Sequence, residues 1–322
     1  MDFWKRPSAW VVLLITLAAG GAVFLLQDDH LREIGFTILL YVTLASSLNI
    51  FLGFTGYINF GHIVFFGLGG YIGFYLLSVH GWPIIAAALA GGCASAALAA
   101  LVGAAILRLR GAYFALATIG INEAARAFVN NFTPFGGATG MSVNFSVYQQ
   151  YGGAAKTLWI TYLLMLIVAL ATLIVSLMIR HSRFGLGLLS IREDEDAALC
   201  LGVNTPLYKS LAYAVSAFFP AVVGTLFFFK NGNIEPGDAF RLHMSIEILV
   251  MVMLGGQGTI FGPVLGALVY ERLRGLLLTS AMLKNLHLAI AGAALLLIVL
   301  FIPEGVVGAL RKKFPKSRKA IE

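Results

Sequence analysis

The chain has 322 residues, 59% of them hydrophobic and only 11% charged, with a formal net charge of +7 and a mean hydropathy of +0.89. A soluble globular chain carries roughly 25% charged residues, so these are too few to clothe a water-soluble surface. Disorder is excluded as well, because there is ample apolar surface to offset the entropy of ordering.

At about 20 residues per helical crossing, the length allows roughly eight to ten spans. The chain reads as an all-α polytopic membrane protein, a single transmembrane domain over residues 1–322. The first apolar run, Ala9 to Gln27, has 19 residues, about 28 Å as helix and a full crossing. The small residues Ala18 to Ala22 resemble a signal cleavage site, but the run exceeds a signal core. A retained span is expected.

Further apolar runs follow at 34–52, 63–79, 84–107, 112–131, 158–179, 209–229, 244–254, 260–282 and 285–302. Lys and Arg collect in four places: Lys5 with Arg6; Arg108 with Arg110; Arg180, Arg183, Arg192 and Lys209; and the 303–322 tail. Together these hold 14 of the 22 basic residues. The positive-inside rule puts all four in the cytoplasm, both termini included, and 132–157 outside.

After residue 243 the chain must return to the cytoplasm by an odd number of crossings. The run 244–254 has 11 residues, too short to cross alone, and GGQGTIFGP follows it. Half-helices meeting at a glycine break satisfy both length and parity, because irregular backbone is tolerated at depth where protein buries it or a cavity adjoins it.

An earlier segment, NIFLGFTGYINFGH, carries Gly53 and Gly56 at the same spacing as Gly255 and Gly258. Paired glycine-interrupted segments point to an internal two-fold repeat and a translocation pathway. The pathway residues expected are Gly53, Gly56, Asn59, Gly61 and His62 at the first break, and Glu247, Gly255, Gly256 and Gly258 at the second. Ordinary close packing of helices is the competing reading. Glu123 and Arg126, three apart, are expected to neutralise each other as a structural ion pair.

The loop over 181–208 contains SIREDEDAALCLG. Acids early and a glycine late suit one helix over Ser190–Leu201 that ends at Gly202. Four consecutive acids favour a protein partner over an anionic lipid surface for such a helix.

Other chemistry drops out. Cys93 and Cys200 lack paired spacing, the six histidines include no i, i+3 or i+4 pair, and no lysine follows a glycine. No metal site, cofactor or Walker A loop is expected, and no nucleic-acid partner. The protein is expected not to be an enzyme.

Asp196-Ala197-Ala198 with Gly202 resembles the EAA motif of ABC-importer permeases, with Asp for the usual Glu. GFTGYINFGHIVFFGLGGY, RLRGAYFALATIGINEAAR, FGGATGM, HSRFGLGLLSIREDEDAALCLGVNT and SIEILVMVMLGGQGTIFGPVLGA are together similar to the branched-chain amino acid permease family, LivM-type subunit. Asn59 stands where that family usually has Ser.

The resemblance implies an ATP-driven importer in the bacterial inner membrane. Its parts would be a second, LivH-like permease subunit, two ATP-binding subunits and a periplasmic binding protein. Arg192, Glu193, Asp196, Ala197, Ala198 and Gly202 would couple to the ATPase. Branched-chain or related amino acids are the implied substrates, with urea, amides and aromatic acids as family alternatives. A stand-alone secondary transporter or channel, with Glu247 as ion site, is the reading from another class.

Overall fold

A computed structural model describes residues 7–279. The run 285–302, the basic tail and Lys5 with Arg6 lie outside the described residues.

The described chain is almost wholly helical. It runs α1 (Pro7–Leu26), α2 (Asp29–Thr55), α3 (Ile63–Ser78), α4 (Ile84–Ile106), α5 (Ala112–Asn131), β1 (Met141–Ser142), α6 (Phe145–Gln150), α7 (Ala154–Arg180), α8 (Arg183–Glu193), α9 (Glu195–Cys200), α10 (Thr205–Asn231), β2 (Asn233–Ile234), α11 (Pro236–Ala239), α12 (Leu242–Gly255) and α13 (Phe261–Thr279). Among the described residues four helices, α2, α4, α7 and α10, are long and apolar enough to cross a membrane; Val12–Leu26 and α3 are apolar but shorter. These helices bear out the all-α membrane reading.

Local chemistry sets the ends. The Asp28 carboxylate accepts from the N–H groups of His30 and Leu31 to start α2, and Gly56 ends it in the left-handed region at φ +78°, where a Cβ would be strained. Asn204 caps α10, which runs through Pro220 to Gly232.

Helix α10 packs chiefly on α4 and α3, and α2 chiefly on α7. Small residues permit the approach: a Cβ on Gly69 would lie 2.1 Å from the Ala221 Cβ, and one on Gly224 would lie 2.2 Å from the Phe66 carbonyl oxygen. Backbone-to-backbone packing of this kind is how membrane helices associate without a hydrophobic driving force.

The bundle has two ends. At one, β1 pairs antiparallel with β2 (Met141 opposite Ile234), and the Tyr148 hydroxyl donates to the Phe229 carbonyl at 2.7 Å. At the other, α8 and α9 lie against Gly53, Tyr57, Arg110 and Gly258. This is called the loop end below.

One local expectation is corrected there. The segment 190–201 is not one helix. Asp194 adopts extended backbone (φ −157°, ψ 114°) and its side chain accepts from the N–H groups of Asp196 and Ala197. The second of the four acids therefore acts as a helix N-cap, closing α8 and opening α9.

Candidate functional site

The two glycine breaks meet. A Cβ on Gly53 would lie 2.7 Å from the Gly258 nitrogen. The Gly258 N–H donates to Asn49 Oδ1 at 2.8 Å, and Asn49 Nδ2 donates to the Thr259 carbonyl, also at 2.8 Å. Gly56 and Gly258, equivalent in the proposed repeat, both have left-handed backbone, at φ +78° and +75°.

Two arginines from the loop end clasp this junction. Arg192 Nη1 donates to the Gly53 carbonyl at 2.8 Å, and Arg180 Nη1 donates to the Gly258 carbonyl. A Cβ on Gly56 would lie 3.3 Å from Arg192 Cγ, and one on Gly258 would lie 2.5 Å from Arg192 Nη1. One guanidinium stem thus covers both equivalent glycines. Arg192, expected to face an ATPase, turns into its own chain instead.

The acids of α9 are also paired within the chain, Glu195 part-buried and Asp196 at the surface. Lys209, only 3% exposed, donates to Glu195 Oε1 at 2.6 Å, to the Leu107 carbonyl at 2.8 Å and to the Tyr57 hydroxyl at 3.1 Å. The Tyr57 hydroxyl donates to Glu195 Oε2 at 2.5 Å. Asp196 takes a bidentate pair from Arg110 at 2.7 and 3.0 Å.

Burial alone would raise the Glu195 carboxyl pKa. The hydrogen bonds from Lys209 and Tyr57, with the Lys209 and Arg110 charges, outweigh burial and hold it below the usual carboxylate range. The hydrogen bond from Arg110, then its charge, lowers Asp196, and the same contact raises Arg110. These acids anchor the loop rather than advertise it to a partner.

Beside the paired Asp196, what faces outward on and just after α9 is apolar. Ala197, Leu199, Cys200, Leu201 and Gly202 are exposed, as is Glu193 on α8. Leu201 is 82% exposed. Gly202 has φ +85° with no atom within 4 Å of a built Cβ. Ala198, expected to couple to the ATPase, is 1% exposed and lies in a buried cluster with Leu188, Ile191 and Tyr213. Starting the helix at Glu195 rather than Ser190 fixes which alanine faces in.

The other expected site residues are dispersed. At the first break, Asn59 Oδ1 accepts from the Gly61 N–H at 2.9 Å, and a Cβ on Gly61 would lie 2.5 Å from the Thr118 carbonyl oxygen. His62 is fully buried, with Nε2 2.9 Å from Ser47 Oγ. Gly255 packs on Gly262, a built Cβ falling 1.7 Å from its carbonyl oxygen. The Gly256 carbonyl accepts from Thr259 Oγ1 at 2.8 Å. These contacts are close packing.

Glu247 lies away from the breaks, beside a cavity of about 320 Å³ shared with Tyr41, Asp238, Arg241, His243 and Arg274. It accepts from the Tyr41 hydroxyl at 3.2 Å, and Arg274 Nη1 donates to that hydroxyl at 2.9 Å. Glu123 and Arg126 do pair, at 3.5 Å, but about half of each side chain is exposed. Among the described residues no group of three or more His, Cys, Asp or Glu is placed to hold a metal ion.

Sequence reasoning groups Asn49 with Thr55, Asn59 and His62 at the first break, one turn from Gly53 on the same helix face, and leaves Tyr57 and Arg180 without roles at this junction.

A family model described as branched-chain amino acid transport system / permease component matches residues 31–299. The high-affinity branched-chain amino acid transport permease protein LivM of Escherichia coli is 26% identical over 333 residues, covering 95% of this chain and 76% of the relative. LivM of Salmonella typhimurium is 26% identical over 300 residues, 85% of this chain and 69% of the relative. LivH of Escherichia coli is also 26% identical, over 83% of this chain and 91% of the relative. No solved structure matches.

Proposed function

The chain belongs to the branched-chain amino acid transport permease family, and on that premise we propose that it is the LivM-type subunit of an importer for branched-chain or related amino acids. It works with a second, LivH-like permease subunit, two ATP-binding subunits and a periplasmic binding protein. The complex sits in the bacterial inner membrane, with both termini, the 181–208 loop and the 303–322 tail in the cytoplasm. Hydrolysis belongs to the ATP-binding subunits in this reading, which is supported by a sequence in which no lysine follows a glycine.

The observation that carries this reading is the build of the loop end. A six-residue helix, α9, is pinned at its base by Lys209 and Arg110 and presents an apolar tip. Just before it, Arg192 reaches the junction of both glycine breaks. A push or pull on the tip therefore has a short, stiff route to α2 and α12. This is what coupling requires: a docking surface joined to an element able to adopt two arrangements. The breaks serve here as a mechanical joint in the transport core.

Reconstitution of all subunits in proteoliposomes tests the reading, with ATP hydrolysis and uptake measured together. Ala197→Arg, on the exposed side of α9, is expected to preserve pairing with the second permease subunit and to abolish stimulated hydrolysis and uptake. Wild-type hydrolysis and uptake in that variant would overturn the coupling role of α9.

A further inference from the structure

Helix α5 turns charge outward near its midpoint. Glu123 is the twelfth of its 20 residues, about 17 Å along the axis at 1.5 Å per residue. Glu123 and Arg126 are 54% and 47% exposed.

The helix has no freedom to roll them inward. Phe114, Thr118, Asn122 and Val129 form its buried side, held by Asn122 Nδ2 donating to the Phe240 carbonyl at 3.1 Å and by Thr118 receiving the Phe60 N–H at 3.2 Å. The opposite side, at helical spacing, carries Tyr113, Leu116, Gly120, Glu123, Ala127 and Asn131, all exposed.

Other outward helix faces differ. Helix α4 turns out Ile85, Leu89 and Leu101, and α7 turns out Ile167, Ile174 and Met178. Those faces suit lipid. A charge at the bilayer centre costs about 2.5–3.5 kcal/mol even on insertion scales, and such groups face protein or a water-filled cavity. Helix α5, long enough to span, is not among the helices apolar enough to count as a span.

We infer that this face of α5 borders a water-filled path, closed on its far side by the second permease subunit, and that Glu123 and Arg126 hold the ammonium and carboxylate of a passing amino acid. The inference rests on the importer reading above. The two charges sit 3.5 Å apart, so a zwitterion inserted between them replaces each partner with one of the same sign. No charge is left uncompensated at any stage, and the site binds without trapping, as conduction requires. Gly120 offers room, since a Cβ there meets nothing within 4 Å.

The test uses the assembled complex in proteoliposomes, with Cys93→Ser and Cys200→Ser as background. Ala127→Cys should react with a hydrophilic, membrane-impermeant thiol reagent at least tenfold faster than Ile167→Cys, and saturating leucine should slow it. Equal, slow reaction at both positions would overturn the water-filled path. Glu123→Gln and Arg126→Gln should each raise the uptake KM at least tenfold while thermal stability and subunit assembly stay at wild-type levels. An unchanged KM in both would overturn the zwitterion site. The labelling needs neither ATP nor binding protein, so it decides the path even if ATP-driven uptake of the wild type fails.

Discussion

Arg192 donates from Nη1 to the carbonyl oxygen of Gly53 at 2.8 Å, across 139 positions of sequence. The contact joins the last turn of α8 to the last turn of α2, and the same guanidinium lies against Gly258. Arginine suits the place because its planar fork holds a fixed direction, whereas a lysine ammonium is a mobile point charge. Arg192→Ala is expected to cut uptake at least tenfold while ATP hydrolysis continues, and Arg192→Lys to recover part of it. Hydrolysis and uptake lost in equal proportion would mean that Arg192 only stabilises the fold.

Gly53→Ala should be costly out of proportion to one methyl. The added Cβ would fall 2.1 Å from Asn49 Oδ1 and 2.7 Å from the Gly258 nitrogen. Asn49 cannot yield, because both ends of its amide are engaged. Overpacking of this kind costs about 1–3 kcal/mol. A drop in the Tm of the purified complex is expected, and a wild-type Tm would show that the junction has slack.

Gly202 separates conformation from contact. With nothing of its own chain near a built Cβ, the effect of substitution on the fold comes from φ +85°, and comparing side chains of similar size separates it from contact with a partner. Left-handed backbone costs roughly 1–2 kcal/mol for ordinary residues, least for Asn. Gly202→Val should weaken stimulated ATP hydrolysis severalfold, and Gly202→Asn should remain near wild type. Equal activity in both variants would show that the left-handed turn is unimportant for docking.

The anchoring of α9 should depend on pH in one direction. A carboxylate whose pKa is depressed on folding contributes stability above its unfolded pKa, about 4, and loses it as pH falls through the folded value. Glu195 is such a group. Hydrogen-exchange protection factors over 194–204 are expected to hold from pH 7 to about 5 and to fall below about pH 4. Glu195→Gln should flatten that profile and lower protection at pH 7.

Much of this was legible in the sequence. Gly53 and Gly56 repeat as Gly255 and Gly258 at an offset of 202 residues, and backbone conformation agrees at Gly56 and Gly258. Arg192 covering both was not legible, because a contact across so many positions leaves no periodicity. Asp194 was hidden among four acids, each able to start a helix. Only backbone geometry selects which one caps, and that choice fixes Ala197 outward and Ala198 inward. The spacing of Glu123 and Arg126 foretold their pairing. Their exposure depends on how α5 is rolled, and that is set by Asn122 and Thr118.

The ties of the loop end also differ in when they can form. Lys209 meets Glu195, Tyr57 and Leu107, all made before it, so its cluster can close as soon as residue 209 leaves the ribosome. The contact between Gly53 and Gly258 must wait for 49 further residues, roughly 2–10 s at 5–20 residues per second. The 181–208 loop is thus seated early in biosynthesis, with Arg192 already beside Gly53, and α12 is the late arrival that closes the joint.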